Sequence, residues 1–277
     1  MLLTLKDNFS VFNFSKVYDH ESFYRDGKGS FKCVNMTEIT GTNCMCDDSA
    51  IEQIKELIKA QNIAPEEVHF IDSGNYHYMS SILTDMVKEP FSLVVIDHHP
   101  DMQRPMFGDI LSCGGWVLEV MRNNPNLKEV YVIGADSELI DKLDEEDKAG
   151  TRFYSRDDIF AGDSANPENS ADPDDSAALS LPDTGYPIYL SLDKDVICKE
   201  ELDTNWDQGD MTISQVLTLV KELLKNRKVI GFDICGEISF DQEDCDIEKA
   251  LEVNDDFNRK IVQIVTDLCQ TGLNVVE

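Results

Sequence analysis

Six residues in three short stretches have side chains that bind metal ions. Asp97, His99 and Asp101 lie in Val94-Val95-Ile96-Asp97-His98-His99-Pro100-Asp101, His77 closes Gly74-Asn75-Tyr76-His77, and Asp193 and Asp195 lie in Ser191-Leu192-Asp193-Lys194-Asp195. Carboxylates and imidazoles gathered at a strand end repel one another or stay partly desolvated unless a cation holds them. A metal site is therefore the first reading of the pattern. Side chains at i, i+2 and i+4 of an extended backbone share a face, so Asp97, His99 and Asp101 point one way and His98 the other. Asp193 and Asp195 repeat the alternation. Four carboxylates and two imidazoles exceed what one ion needs and suit two ions that share bridging carboxylates. No thiolate takes part, which favours Mn²⁺ over a Cys-rich zinc site. Two ions about 3.5–4 Å apart can lower the pKa of a bridging water and stabilise a tetrahedral intermediate.

These stretches need a scaffold that brings strand ends together. The run Phe91 to Ile96 reads as a buried strand, and so do Val68–Asp72, Glu129–Gly134, Ile188–Asp193 and Val229 to about Glu237. Between them, helical patterns are expected from a capping box at Ser49-Ala50-Ile51-Glu52 to about Ala60, over Ser80–Val87, Trp116–Arg122, Asp136–Leu143, after Thr212 or Ser214, and over Asp255–Leu268. Leu2–Leu5 and Arg152–Tyr154 are further short strand candidates. Strand and helix alternate, which predicts an α/β fold with a parallel sheet covered on both faces. In such a sheet ligands sit at the carboxyl ends of the strands. The first 48 residues carry no clear pattern beyond aromatic bulk (Phe12, Phe14, Tyr18, Phe23, Tyr24, Phe31) expected to pack across the sheet.

The whole chain, residues 1–277, is read as one domain, with enough apolar content (42%) for a sizeable core. Residues 157–183 hold eight acids and no Lys or Arg, and read as a solvated surface excursion rather than a domain boundary. The net charge of −30 argues against nucleic acid and against an anionic membrane surface. It leaves a small-molecule substrate, neutral or cationic. Eight scattered cysteines form no C-x-x-C pair, so neither a zinc ribbon nor a thioredoxin motif is expected. The opening Met1-Leu2-Leu3-Thr4-Leu5-Lys6 does not read as a signal peptide, and no run has the length of a membrane helix. The cytoplasm, with free thiols, is the expected location.

Taken together and in this order, the three stretches resemble the ureohydrolases, the arginase/agmatinase superfamily. That family has a histidine after a glycine-containing turn, then D-x-H-x-D, then S-x-D-x-D; here these are His77, Asp97 to Asp101, and Ser191 to Asp195. The resemblance covers the chain from about Ser49 onward. It implies a three-layer α/β/α fold with a mostly parallel sheet of about eight strands. It implies two Mn²⁺ per chain, with His77 and Asp101 on one ion, His99 and Asp195 on the other, and Asp97 and Asp193 bridging. It also implies hydrolysis of a C–N bond in a guanidino or amide-like small molecule by a metal-bridging hydroxide, which Asp97 and Asp193 would position. Family members are commonly trimers or hexamers, so a homo-oligomer is implied too.

Two departures bear on the substrate, a cationic guanidino compound in the family pattern. The family's guanidino-binding glutamate lies three residues after the aspartate of a Gly-Phe-Asp-like strand. Counted from Gly231-Phe232-Asp233, that place is Gly236, with Glu237 one residue later. Glu237 is taken as the candidate substrate contact, although a slip of one residue on a strand reverses a side chain. The loop that carries a proton-shuttle histidine in arginases reads Ser112-Cys113-Gly114-Gly115. Metal binding without ureohydrolase activity, in a regulatory or interaction role, is thus an alternative. A DHH-type Mn²⁺ phosphoesterase, suggested by Ile96-Asp97-His98-His99, is a weaker one, because its other motifs are missing.

Overall fold

The computed structural model describes residue 5 and residues 7–26, 28–105, 108–160, 179–225, 227–243 and 245–273. Of the expected Leu2–Leu5 strand only Leu5 falls among them, and most of the acidic excursion lies outside. Eight strands form one sheet: β1 (Asn8–Asn13), β2 (Ser30–Asn35), β4 (Val68–Phe70), β5 (Phe91–Ile96), β7 (Leu127–Ile133), β8 (Thr151–Tyr154), β9 (Ile188–Asp193) and β10 (Val229–Cys235). Their order across the sheet is β2-β1-β4-β10-β9-β5-β7-β8, and every neighbouring pair is parallel. Two further strands, β3 (Met45–Cys46) and β6 (Leu111–Ser112), make a separate antiparallel ribbon.

Alternation along the strands feeds two cores. Leu93 and Val95 of β5 face one side of the sheet and Val94 and Ile96 the other. The first side packs against α1 (Asp48–Ala60) through Ile54 and Ile58, α2 (Met79–Thr84) through Ile82 and Leu83, and α3 (Trp116–Asn123) through Val117 and Val120. The second packs against α6 (Ile213–Lys225) through Val216, Leu219, Val220 and Leu223, and α7 (Ile247–Leu273) through Phe257, Ile261, Val262 and Val265. Short helices α4 (Ser137–Asp141) and α5 (Arg156–Phe160) complete the α-helices among the described residues. The result is the expected three-layer α/β/α arrangement.

The elements differ from the sequence reading mostly at their ends. The α1 cap is Asp47, whose Oδ1 accepts from the Ala50 backbone N–H at 2.9 Å, so the helix begins one residue before the Ser49 box. Thr212 does cap α6: its hydroxyl accepts from Gln215 N while the Gln215 side chain accepts from Thr212 N. The last helix starts at Ile247, well before the expected Asp255. The unpatterned N-terminal stretch supplies both strands of one sheet edge. It is tied down by Asp72, whose carboxylate accepts from Phe14 N, Ser15 N and the Ser15 hydroxyl.

One feature of the strand order prepares the site. From β5 the chain continues to β7 and β8 on one side, whereas from β9 it continues to β10 on the other. The carboxyl ends of β5 and β9 are adjacent, and their connections diverge. That leaves a crevice at the sheet's topological switch point.

His69, in β4, is fully buried with neither ring nitrogen hydrogen-bonded. Burial holds its pKa down at about 4. The unfolded chain takes up that proton near pH ~6.5, so His69 withdraws stability as pH falls from about 6.5 through about 4. In an NMR titration the His69 ring resonances should stay fixed down to about pH 5 and move only near pH 4. Movement near neutrality would contradict the buried neutral ring.

Candidate metal centre

The crevice gathers all six predicted ligands. Asp97 follows β5, Asp193 ends β9, and Asp195 lies in a 3-10 turn (Lys194–Val196) directly after it. His77 caps another 3-10 turn (Gly74–Tyr76) just beyond β4. His77 Nδ1 lies 3.3 Å from Asp97 Oδ2, 3.1 Å from Asp101 Oδ2 and 3.3 Å from Asp193 Oδ2. His99 Nδ1 lies 2.8 Å from Asp195 Oδ2 and 3.7 Å from Asp97 Oδ1. Two ligand triads result, His77/Asp97/Asp101 and Asp97/His99/Asp195, with Asp97 common to both.

Neighbouring groups fix the orientation of each ligand. Ser191 Oγ donates to Asp233 Oδ1 at 2.5 Å, so its lone pair accepts from His77 Nε2–H at 2.9 Å. That relay commits Nε2 to Ser191, so Nδ1, which faces the carboxylates, is the nitrogen that would exchange its proton for a metal. The Trp116 indole donates to Asp101 Oδ2 at 2.7 Å. Asp101 itself has φ 49°, an unusual backbone for a non-glycine residue. Asp193 Oδ1 accepts from Asp195 N, and Asp195 Oδ1 accepts from His98 N. His98 lines a separate cavity beside Asp136 and Gln208, and its Nε2 lies 3.8 Å from Asp207 Oδ2, whose other oxygen meets His99.

The electrostatics describe a site that favours cations. Burial, and then the charge of Asp97, raise the carboxyls of Asp193 and Asp101, the latter to about 6. Burial, Asp193 and Asp97 likewise hold Asp195 well above the usual carboxylate range. Burial opposes a charge on His77, yet the adjacent carboxylates of Asp101 and Asp97 hold its proton well above the ordinary imidazole range. Asp97 is pulled down against its own burial by His77 and His99. A divalent cation would replace these shared protons and relieve the repulsion. Asp97 Oδ2 is buried without a hydrogen-bond partner, as a metal-ligating oxygen would be. The residues present thus fit a pair of cations. Cys235 also lies within reach of His77 and Asp193. Its thiol donates to the Ser73 carbonyl and burial raises its pKa, which keeps it a thiol and outside the donor set.

A cavity of about 210 Å³ opens above the cluster. Trp206 forms part of its wall, its indole N–H donating to Asn75 Oδ1. Gly74 permits this, because a Cβ there would lie 2.5 Å from the Trp206 ring. Cys44 and Cys113 meet at the rim across the β3–β6 ribbon, and the Cys113 thiol lowers the Cys44 pKa to about 7.

Glu237 requires a correction. It does not line the cavity; it is fully buried on the far side of the Asp193–Asp195 turn. There Lys194 Nζ lies 2.5 Å from Glu237 Oε1 and donates to Asn254 Oδ1 at 2.6 Å, while Asn258 donates to both Glu237 and Glu21. Burial, and next to it Glu237, push the Glu21 carboxyl well above the usual range, so it keeps its proton. Gly236, with φ 98°, explains the reversal. A Cβ on it would stand 2.4 Å from Asp193 Oδ1, so no side chain can point toward the site from that position. Lys194, Asn254, Asn258 and Glu21 had no signature in the sequence, since a lysine between two acids reads as a solvated charge.

The family model described as the arginase family matches residues 22–244. An uncharacterized protein of Thermotoga maritima is 29% identical over 188 residues, which is 67% of this chain and only 64% of that protein's length. Among solved structures, proclavaminate amidino hydrolase from Streptomyces clavuligerus superposes with a TM-score of 0.62 at 14% identity, over 94% of this chain and 91% of its own. Formimidoylglutamase from Bacillus subtilis gives 0.61 at 11% identity, over 94% and 88%. Agmatine ureohydrolase of Thermoplasma volcanium gives 0.59 at 14% identity, over 96% and 90%. The family match leaves no place for the phosphoesterase alternative.

Truncating one partner of a buried ion pair leaves an uncompensated charge, at a cost of about 3–5 kcal/mol. Lys194→Met should therefore lose about that much stability in urea denaturation. The double variant Lys194→Met/Glu237→Gln should recover most of it. Strict additivity of the two substitutions would show that the pair is not coupled.

Proposed function

Because the chain belongs to the arginase family, we propose that it is a hydrolase that cleaves a non-peptide C–N bond of a small molecule with the help of two divalent cations. The observation that carries this reading is the double engagement of Asp97, whose Oδ2 faces His77 and whose Oδ1 faces His99. His77 and Asp101 would hold one ion, His99 and Asp195 the other, with Asp97 and Asp193 shared between them. Oxygen and imidazole donors without thiolate suit Mn²⁺. Bound there, the cations would acidify a water and stabilise the charge that develops on the substrate.

The chain's own residues prepare the rest. The Ser191–Asp233 relay keeps His77 in one tautomer. Trp116 holds Asp101 in its strained backbone. Asp97 and Asp193 border the place where water and substrate would meet and would orient that water. Trp206, packed edge-on against His99, would cover the mouth and limit bulk solvent.

After equilibration with Mn²⁺, elemental analysis should find two ions per chain, and release of ammonia or urea from amides and amidines should follow. Asp97→Ala should lose both ions, whereas His99→Ala should keep one. Metal binding should weaken as pH falls, because every ligand must shed its proton. Two ions retained by Asp97→Ala would refute the shared ligand, and loading without turnover on any amide or amidine would refute the hydrolase.

A further inference from the structure

Above its acidic floor the cavity wall carries no carboxylate among the described residues. Met45, Pro105, Ile110 and Trp206 supply apolar surface, and Gln103 and Ser112 supply neutral polar groups. Among the described lining residues, the only carboxylates are the four of the floor, and these match the charge of two divalent cations. Arg104 reaches the rim, but its guanidinium is bound by Asp147, Glu146 and Asp144. Asp207, outside the lining, is exposed and hydrogen-bonded to His99 Nε2. Glu237 is held by Lys194, and Gly236 occupies the place before it. A guanidinium entering this cavity would lose water and find no free carboxylate among the described lining residues, so its desolvation would go uncompensated. By contrast, the Gln103 amide and the Ser112 hydroxyl have no hydrogen-bond partner among the described residues. They could serve the carbonyl and N–H₂ of a neutral amide.

Resting on the hydrolase reading above, we infer that the substrate is an uncharged linear carboxamide with an apolar substituent, recognised by Gln103 and Ser112, and not a guanidinium compound. The reaction balances without a redox partner: water oxygen forms the new C–O bond, the C–N bond breaks, and the nitrogen leaves with the water's protons, so that R–CO–NH₂ and H₂O give a carboxylate and ammonium. The apolar wall takes R, which needs no charge to be retained.

The test uses the full chain after Mn²⁺ loading and two ligands of equal tail length, hexanamide and pentylguanidinium. Binding is read from Trp206 fluorescence, with Trp206→Phe as the control for Trp116, and turnover from ammonia and urea. Hexanamide should bind at least about tenfold more tightly than pentylguanidinium, a difference of about 1.4 kcal/mol. Gln103→Glu, at an exposed position, should erase or invert the preference by placing a carboxylate in the wall. Tighter binding of the guanidinium, no binding of hexanamide, or an unchanged preference in Gln103→Glu would overturn the inference. The amide preference without turnover would uphold the substrate chemistry while the hydrolase reading failed. Urea release from pentylguanidinium, with no preference for the amide, would do the reverse.

Discussion

Four carboxylates converge in one crevice, each nearly inaccessible to water. In an interior that screens charge poorly they cannot all be ionised without positive charge beside them. The fold makes this arrangement unavoidable. Parallel strands deliver their carboxyl ends to one edge, and the divergence of β5 and β9 leaves space there. The orienting contacts respond to the same constraint. The Ser191–Asp233 relay turns a basic imidazole nitrogen toward the acids, Trp116 places its indole N–H on Asp101, and backbone N–H groups serve Asp193 and Asp195. The N–H donors add partial positive charge but not enough for full ionisation, and the imidazole nitrogen offers a lone pair, a combination that suits the proposed cations.

A second electrostatic arrangement lies directly behind the first. Lys194 stands between Asp193 and Asp195 in sequence, yet the turn sends it to the opposite side, where it is completely buried. Such a charge needs a partner, and Glu237 provides it. The two features are geometrically linked. Glu237 can reach Lys194 only because Gly236 takes a left-handed backbone, and Gly236 can press against Asp193 only because it has no Cβ. The acid next to the strand end thus serves the support of the site instead of its cavity.

Much of the centre was legible because its signals are local. Asp97, His99 and Asp101 alternate within five residues after a strongly apolar strand, and Asp193 and Asp195 do so again. The β5, β7 and β9 strands were legible for the same reason, as short runs dominated by apolar residues. The edge strands β1 and β2 were not, because their burial comes from neighbours far along the chain. Ser10 is buried against Glu67, and Asp72 gathers Phe14 and Ser15 across a separation of more than fifty residues. The early turns of α7 escaped for a related reason. Asn254 sits at a buried position in those turns, and its role is visible only once Lys194 is placed beside it. Pairing of distant polar residues leaves no periodic trace.

Net charge is the plainest example of a global property that misleads about a local one. A chain at −30 invites a cationic substrate by long-range attraction. Attraction of that kind governs encounter and is screened within about 10 Å at ordinary salt. Selection inside the cavity depends on the groups within contact distance, and there the acids are already committed. Four belong to the cation receptor, Glu237 to Lys194, and Asp144, Glu146 and Asp147 to Arg104. The wall that remains carries no further carboxylate among the described residues, only apolar side chains, two thiols, the paired Arg104 and two neutral hydrogen-bonding groups. A surface that draws in cations can therefore enclose a pocket that rejects them, because solvation is lost at the mouth and only a local counter-charge could replace it.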